Sequence, residues 1–443
     1  MRILLLFLPL LPLFFYKLGQ SSLTSYDEAW YGSIAKQIIQ NGDLINLNWN
    51  GLDYIDHPFF GFWLIAAAIK LIGDNALAVR LPSAIFGFLS LLITYLLGKE
   101  LFNKLVGFTS AIALSSSYWF LFRARSGNLD IPLTFFFLLT LFLAVKAVKI
   151  KKFILPWSIS FALLLLTKTL VPITIIPSLI IIFWKKIKLK DLIKPLGFVT
   201  LIFLFWVITQ QINNPNFLRR YFNIGLPGVS VETDYFQNLK LMKDYLYLGI
   251  GRWFWPSIVS LIFGIFLRER RFFMLSIFFL TFYIPFIFSE KGHIWHLIPL
   301  HPIMLLSLFG FLYVFLTKIL KNKLAVTVII LGFCFSLSFI QIKRAWIEFI
   351  DIPAFISDEE ILSREAGKYP EKFYIDGEFM PSANFYSNKE VRQIRAEGLI
   401  PLFEKGEPFI LITYQWRLDK EKIEKEKYEI IKSDRDKILI KKF

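Results

Sequence analysis

The sequence contains a succession of long apolar runs, and these runs restrict the chain to a fold that lies in a membrane. A helix needs roughly 20 apolar residues to cross a bilayer. Runs close to that length cover 2–18, 79–98, 105–122, 131–148, 153–168, 169–184, 195–212, 247–267, 272–289, 297–317 and 324–342. The chain is 56% hydrophobic and has 49 Phe, more apolar surface than a soluble domain can bury. We therefore predict a polytopic α-helical membrane protein with about eleven transmembrane helices.

Two apolar segments allow a second interpretation. The segment 59–73 would extend only about 22 Å as a helix, whereas the hydrocarbon core is about 30 Å thick, so we predict an interfacial or re-entrant helix. The N-terminal run could be a signal peptide. It has no small-residue cleavage site, and ionisable residues follow it directly, so we predict a retained first span.

Basic residues are concentrated in short loops between the apolar runs. Four such loops (146–152, 185–194, 268–271 and 318–323) fall on one side if 59–73 does not cross. The positive-inside rule assigns that side to the cytoplasm. The net charge of +16 is therefore explained by membrane orientation, and no nucleic-acid partner is expected. The segments that contain Asp27 and Asp130, the loop 213–246 and the turn 289–296 then lie outside.

The composition changes after about residue 344, where charged residues alternate with short β-type runs. The runs 372–377, 408–414 and 437–443 are typical of strands, and the charged segment 420–431 has partial helical character. We predict a transmembrane domain at 1–343, which includes an external loop at 19–78, and a small soluble α/β domain at 344–443 on the external face.

Metal and disulfide chemistry find little support in the sequence. The chain has one cysteine, Cys334, and four histidines. This excludes a disulfide framework and a cysteine-based metal site. A zinc site at His293 and His296 lacks nearby acidic ligands. No cofactor is predicted, and neither is a divalent cation.

The first external loop carries an acidic pair, Asp27 and Glu28, directly before a predicted amphipathic helix at 29–42. Helix capping is one interpretation, because acidic residues favour a helix N-terminus. The same loop contains Asp56, His57 and Pro58 just before the segment 59–73.

Two further external turns contain basic residues. Arg123 and Arg125 precede Asn128 and Asp130, and Asp130 could simply cap the next helix. Positive charge on this side is not explained by orientation, and an arginine beside a carboxylate can bind an anionic head group.

A lysine also lies within an apolar stretch at the same face. Lys168 is flanked by apolar runs, which indicates function unless its side chain snorkels to the surface. Lys291 and His296 occupy another outer turn. Together these turns predict an external site for an anionic substrate.

The order of these motifs resembles the GT-C membrane glycosyltransferases. The motifs are "DEAWYGSIA", "YIDHPFFGFW", "RSGNLDIP", "LLTKT" and "KGHIWHLIPLHP", and the resemblance covers about residues 20–310. The most similar type is the bacterial aminoarabinose transferase (ArnT-like) group, which is related to protein O-mannosyltransferases. The small C-terminal domain also looks like that of the family.

The resemblance implies an inverting transfer of a sugar from a polyprenyl phosphate to an acceptor at the external face. Asp27 would be the general base, Glu28 would orient it or the acceptor, and Asp130 would support the sugar or the acceptor. The remaining predicted residues would hold the donor or its phosphate: Tyr54, Asp56, His57, Arg123, Arg125, Lys168, Lys291 and His296. A base at the acceptor and positive charge at the leaving phosphate are what this chemistry requires.

Two departures from the aminoarabinose type leave the substrate open. Trp30 replaces an arginine and His57 replaces a lysine, so lipid A modification is in doubt and another sugar fits equally well. Lipid A, another lipid, a glycan or a protein hydroxyl remain possible acceptors. We expect a monomer in the bacterial inner membrane with its active site facing the periplasm. A transporter or flippase of a lipid-linked anion and a non-catalytic envelope scaffold are the alternatives, although no inverted repeat is visible.

Overall fold

The computed structural model describes residues 5–23, 26–225, 234–289, 292–377, 380–394 and 398–443. The described chain divides into two compact units. Unit 1 contains the residues up to Lys17, Ile55–Gly61 and Pro82–Ile352. Unit 2 contains Leu18–Tyr54, Phe62–Leu81 and Pro353–Phe443.

Helices make up most of the described chain. In chain order they are α1 (Leu11–Phe15), α2 (Tyr26–Asn41), α3 (Phe60–Ile72), α4 (Ala76–Leu101), α5 (Lys104–Ser115), α6 (Tyr118–Ala124), α7 (Asp130–Lys149), α8 (Ile154–Leu165), α9 (Ile176–Phe183), α10 (Leu189–Asn213), α11 (Phe217–Gly225), α12 (Tyr235–Ile250), α13 (Phe254–Phe266), α14 (Arg270–Ile287), α15 (Leu300–Ile319), α16 (Lys323–Ala345), α17 (Asp358–Ala366), α18 (Met380–Ser387), α19 (Leu399–Glu404) and α20 (Gln415–Lys420). The strands are β1 (Leu47–Trp49), β2 (Leu52–Tyr54), β3 (Lys372–Ile375), β4 (Val391–Gln393), β5 (Phe409–Tyr414), β6 (Tyr428–Asp434) and β7 (Lys437–Lys442).

Among the described residues, seven helical stretches are long and apolar enough to cross a bilayer, and each coincides with a predicted span. They are α4, α7, α10, the run α12–α13, α14, α15 and the run Lys323–Ile350 that begins with α16. An eighth crossing is possible if α5 and α6, which meet at an angle of 69°, form one broken span. The chain is therefore a multi-pass helical membrane protein, as the apolar runs predicted.

Helix length does not confirm the predicted count of about eleven spans. In their described residues, the runs 2–18, 153–168 and 169–184 contain shorter helices, and 3-10 turns interrupt the helical structure within 2–18 and 169–184. Leu170 has a positive φ of 34°, and a 3-10 turn, Val171–Ile175, separates α8 from α9. Prolines stand at the starts of this turn and of α9, where they begin new helical segments. The segment 59–73 forms α3, a helix of 13 residues.

The helices α4 and α5 approach closely within unit 1. A Cβ added to Gly107 would lie 2.3 Å from the carbonyl oxygen of Tyr95, and one added to Gly98 would lie 2.6 Å from the Cα of Gly107. Small residues allow backbones of membrane helices to pack at such short range. The pair of glycines therefore sets the spacing between these two helices.

The C-terminal part of unit 2 contains a five-stranded sheet with the strand order β4-β3-β5-β7-β6. β3 runs parallel to β4 and β5, whereas β7 is antiparallel to β5 and β6. The predicted strands at 372–377, 408–414 and 437–443 correspond to β3, β5 and β7. The partial helical character predicted for 420–431 is limited to Lys420, which ends α20, and to a 3-10 turn at Lys425–Lys427, and the strand β6 begins at Tyr428. The backbone of β6 instead pairs with β7 at the edge of the sheet, where charged side chains are tolerated.

Unit 2 joins the loop after the first apolar run to this C-terminal part. The Leu23 N–H donates to the Tyr386 hydroxyl at 2.8 Å, and the Lys36 ammonium donates to the Phe385 carbonyl at 2.6 Å. Asn50 bridges to β4, since its amide donates to the Val391 carbonyl at 2.8 Å and accepts from the Val391 N–H at 2.7 Å. The loop is thus held by residues more than 300 positions away in the sequence.

Candidate active site

Asp130, at the start of α7, is the centre of a buried ion cluster in unit 1. The amide oxygen of Asn128 accepts the Ile131 N–H at 3.0 Å, so Asn128 caps this helix. The Asp130 carboxylate instead contacts side chains: Oδ1 lies 2.5 Å from Lys168 Nζ, and Oδ2 lies 3.0 Å from Arg123 Nη2. The capping interpretation of Asp130 therefore gives way to ion pairing.

The cluster of Asp130, Lys168 and Arg123 joins one buried carboxylate to two buried cations. All three residues are at most 7% exposed. Both cations contact the Asp130 carboxylate, in a place where a charge is costly unless it is paired. The Lys168 ammonium has three protons. Within the described residues it donates to Asp130. This arrangement is suited to binding an anion.

The cluster opens into a cavity of about 180 Å³ in unit 1. Its walls are mainly apolar and carry a few polar groups, the usual character of a small-molecule site. The lining residues are His57, Asp130, Leu133, Lys168, Thr169, Val171, Ile224, Phe286, Ser289 and His296. Sequence motifs separated by more than 200 residues thus meet at one cavity.

Thr169 determines which nitrogen of the neutral His57 imidazole carries the proton. The Thr169 hydroxyl donates to the Asp56 carbonyl and lies 2.8 Å from His57 Nδ1. A hydroxyl has one proton. Because Thr169 donates that proton to Asp56, its oxygen accepts from Nδ1–H. The neutral ring therefore presents Nε2 as an acceptor.

Both histidines of the cavity are held in the neutral form. Burial and the nearby Lys168 ammonium lower the pKa of His57 to about 3. Burial, with a smaller contribution from Lys168, also lowers the pKa of His296 well below its usual value. The positive charge near the cavity is therefore supplied by Lys168 and Arg123.

The turn before α15 adds aromatic contacts to the cluster. The Arg123 guanidinium lies 5.3 Å from the centre of the Trp295 ring, and the His296 ring stacks on Phe286 at 5.6 Å. Within the described residues, no group of three His, Cys, Asp or Glu side chains is arranged to hold a metal ion.

Asp27 and Glu28 lie in unit 2, in the first turn of α2. Glu28 is 1% exposed and forms a bidentate pair with Arg80, with contacts of 2.8 and 2.9 Å. The remaining donors of Arg80 bind the backbone carbonyls of Leu18, Ser21 and Ser22. Glu28 and Arg80 thereby tie the start of α2 to the preceding chain, while Asp27 is partly exposed.

The other predicted residues occupy several places. Tyr54 is buried in unit 2, and its ring contacts Trp30 edge-on at 5.6 Å. In unit 1, the Arg125 guanidinium donates to the carbonyls of Leu13 and Tyr16 at 3.0 and 2.7 Å. Lys291 lies outside the described residues.

Sequence reasoning missed Arg80 and Thr169. Arg80 stands near the start of the apolar run 79–98, and a charged residue in such a run signals a buried partner. Thr169 follows Lys168 directly, but a neutral threonine carries no comparable signal.

Comparisons with known proteins give a consistent result. The family model for dolichyl-phosphate-mannose-protein mannosyltransferases matches residues 56–210. An uncharacterized protein of Aquifex aeolicus is 25% identical over 91% of this chain and 85% of its own length. An undecaprenyl phosphate-alpha-4-amino-4-deoxy-L-arabinose arabinosyl transferase of Pseudomonas fluorescens is 28% identical, over 44% of this chain and 36% of its own length. The chain thus aligns with about a third of that transferase.

The fold has a counterpart among solved structures. The crystal structure of ArnT from Cupriavidus metallidurans bound to undecaprenyl phosphate matches with a TM-score of 0.76 and 14% sequence identity. The match covers 99% of this chain and 97% of that chain. The resemblance predicted from the sequence is therefore confirmed: the chain has the ArnT-like GT-C fold.

Proposed function

We propose that this ArnT-like chain is an integral-membrane inverting glycosyltransferase that moves a sugar from a polyprenyl phosphate to an acceptor hydroxyl. The observation that carries the proposal is the buried Lys168 ammonium, which lines the cavity together with His57 and His296 and pairs with Asp130. The relatives support it, because they are named for undecaprenyl-phosphate-linked and dolichyl-phosphate-linked sugars.

In the proposed reaction, a carboxylate of Asp27 takes the proton of the acceptor hydroxyl. The acceptor oxygen then forms a bond to the anomeric carbon as the bond from that carbon to the phosphate oxygen breaks. The polyprenyl phosphate leaves with an additional negative charge. Lys168 stabilises this charge, and Arg123 helps to hold Asp130, so that the leaving group meets a fixed cation.

The His57 ring takes part as a neutral group. With Nδ1–H directed to Thr169, Nε2 can accept a hydrogen bond from a sugar hydroxyl or from a protonated phosphate oxygen. This role differs from that of a fixed cation and supports a sugar other than aminoarabinose.

We also propose the side of the membrane that the active site faces and the membrane in which the protein lies. Asp27, Asp130 and Lys168 would face the periplasm of a bacterial inner membrane, and α3 would lie at the interface. The predicted domains at 1–343 and 344–443, the eleven spans and the monomeric state belong to the same proposal. Acceptors remain a lipid such as lipid A, a glycan or a protein hydroxyl.

A variant pair tests the chemistry. Asp27→Asn should lower transfer from a radiolabelled polyprenyl-phosphate sugar by about 10² to 10⁴-fold in purified membranes, the usual contribution of a general base. Donor binding should stay unchanged. Asp53→Asn, an exposed carboxylate of the same unit, is the matched control. Full transfer activity in Asp27→Asn would exclude the general-base role.

A second pair tests the phosphate site. Lys168→Met should weaken binding of polyprenyl phosphate, whereas Lys240→Met, an exposed lysine of unit 1, should not. Uptake of the lipid-linked sugar into vesicles without any transfer would favour the transporter instead.

A further inference from the structure

Unit 1 contains a second and larger cavity, which we call the aromatic groove. Its volume is about 680 Å³, within the range of ligand-binding clefts. Its lining residues are Tyr118, Trp119, Tyr247, Leu248, Gly251, Arg252, Trp255, Ile294, Leu337, Ile340, Gln341 and Arg344. It shares none of them with the cavity at Lys168.

Gln341 contributes a buried polar side chain to the lining of this groove. Gln341 is only 5% exposed, and its Oε1 accepts a hydrogen bond from the Arg252 N–H at 2.9 Å. Gly251, with a φ of +71°, makes room for the amide, because a Cβ there would lie 1.9 Å from Oε1. Among the described residues, Nε2 of Gln341 has no hydrogen-bond partner. A buried donor without a partner indicates a missing acceptor.

Arg252 supplies the unbalanced charge of the groove. The neighbouring Arg344 is already neutralised, since its Nε lies 2.7 Å from Glu348 Oε1. Glu348 also accepts from the Tyr118 hydroxyl at 2.5 Å. The Arg252 side chain is exposed, and none of the ion pairs formed by described residues includes it. The groove therefore offers one cation and one amide donor to the same ligand.

The remaining walls fit a lipid rather than a free anion. Tyr118, Trp119, Tyr247 and Trp255 contribute four aromatic side chains to the lining, and tyrosine and tryptophan concentrate at the level of the lipid head groups. Leu248, Leu337 and Ile340 add apolar surface on which a hydrocarbon chain can lie. A polyprenyl chain alone would leave Arg252 and Gln341 without acceptors.

We propose that the aromatic groove binds an anionic phospholipid, with its phosphate on Arg252 and Gln341 Nε2 and its acyl chains along the apolar wall. The 3-10 turn Ile294–Leu297 places Ile294 at this groove and His296 at the first cavity. The two sites therefore share one short structural element while holding different lipids.

Binding to the purified full-length chain tests the proposal. Dissociation constants are measured by native mass spectrometry in dodecyl maltoside micelles with dioleoyl phosphatidylglycerol, dioleoyl phosphatidylcholine or sodium phosphate as the probe. Phosphatidylglycerol should bind, and the other two should not. Arg252→Gln should weaken phosphatidylglycerol binding about tenfold or more, because a charge-assisted hydrogen bond is lost. Gln341→Glu, which keeps the acceptor for the Arg252 N–H but replaces the donor by a carboxylate, should also weaken it.

Two controls separate this site from other lipid binding. Arg219→Gln removes an exposed arginine elsewhere in unit 1 and should leave the affinity unchanged. Lys168→Met should also leave it unchanged, so that failure of the proposed transferase chemistry does not affect this result. Equal binding of phosphatidylcholine, or equal affinity in Arg252→Gln, would overturn the proposal. So would binding of phosphate alone, or tighter competition by a polyprenyl phosphate.

Discussion

Removal of the Asp130 carboxylate tests the charge balance of the ion cluster. Asp130→Asn keeps the shape of the side chain but removes the carboxylate that Lys168 and Arg123 share. Lys168 and Arg123 lie 2.5 and 3.0 Å from the carboxylate. At an effective dielectric constant of about 20, each contact corresponds to a gross attraction of about 6 kcal/mol, most of which offsets desolvation.

The expected loss is smaller than that gross attraction but still large. Removing one partner of a buried ion pair typically costs about 3 to 5 kcal/mol, and here the remaining Lys168 and Arg123 also repel each other. Lys168→Met alone should cost less, because Asp130 keeps its contact with Arg123. In the Lys168→Met background, Asp130→Asn should be less costly by about 1 to 3 kcal/mol, since one of the two cations is already absent.

The measurement is reversible unfolding in mixed detergent micelles for the wild type, both single variants and the double variant. All four are studied without ligand, so that donor binding does not contribute to the stability. Additive free energies of unfolding, within about 0.5 kcal/mol, would refute the coupling of Asp130 to Lys168. In the double variant, donor binding should stay weak because Lys168 is absent. This should hold although Asp130→Asn costs less stability there than it does in the wild type.

Two further outcomes follow from single features. The folded-state pKa of His57 is about 3, below its usual value of about 6.5, so the unfolded state takes up a proton in that interval and stability falls as pH decreases from about 6.5. Between pH 7.5 and 5, the His57→Gln variant should therefore lose less thermal stability than the wild type. The control His293→Gln, at an exposed histidine, should lose as much as the wild type. Equal losses in all three proteins would contradict this. Gly107→Ala should destabilise the chain by about 1 to 3 kcal/mol, because its Cβ would clash with the Tyr95 carbonyl. Gly197→Ala, whose Cβ would meet nothing within 4 Å, should cost nothing in the same unfolding assay.

Much of the fold could be predicted because helices and strands that bury apolar side chains leave continuous or alternating apolar patterns in the sequence. The seven long spans and the strands β3, β5 and β7 all appear as continuous apolar or alternating runs. The three shorter segments could not be distinguished in this way, since a 3-10 turn such as Val171–Ile175 is as apolar as a helix. The strand β6 was missed because its pairing with β7, and not its own composition, determines its structure.

In the candidate site, too, the sequence indicated individual residues but not the contacts between distant ones. Asp130 and Lys168 were recognisable because charges in apolar surroundings are costly. Their direct pairing, over 38 positions of sequence, was not predictable from either motif. The ion pair of Glu28 and Arg80 shows the same limit: the sequence singled out Glu28 but not Arg80, and only the folded chain gives Glu28 a buried partner.

The hydrogen bonds that hold the loop of unit 2 have a consequence for biogenesis. Lys36 in α2 bonds to Phe385, and Leu23 in the preceding chain bonds to Tyr386, and both partners are synthesised some 350 positions later. Unit 2 therefore cannot be completed until the C-terminal segment has been synthesised. During synthesis, the spans can insert one by one, but the helix that carries Asp27 must wait. A nascent chain released early would have inserted spans and an unfinished unit 2, so completion of this unit is a natural checkpoint for the whole protein.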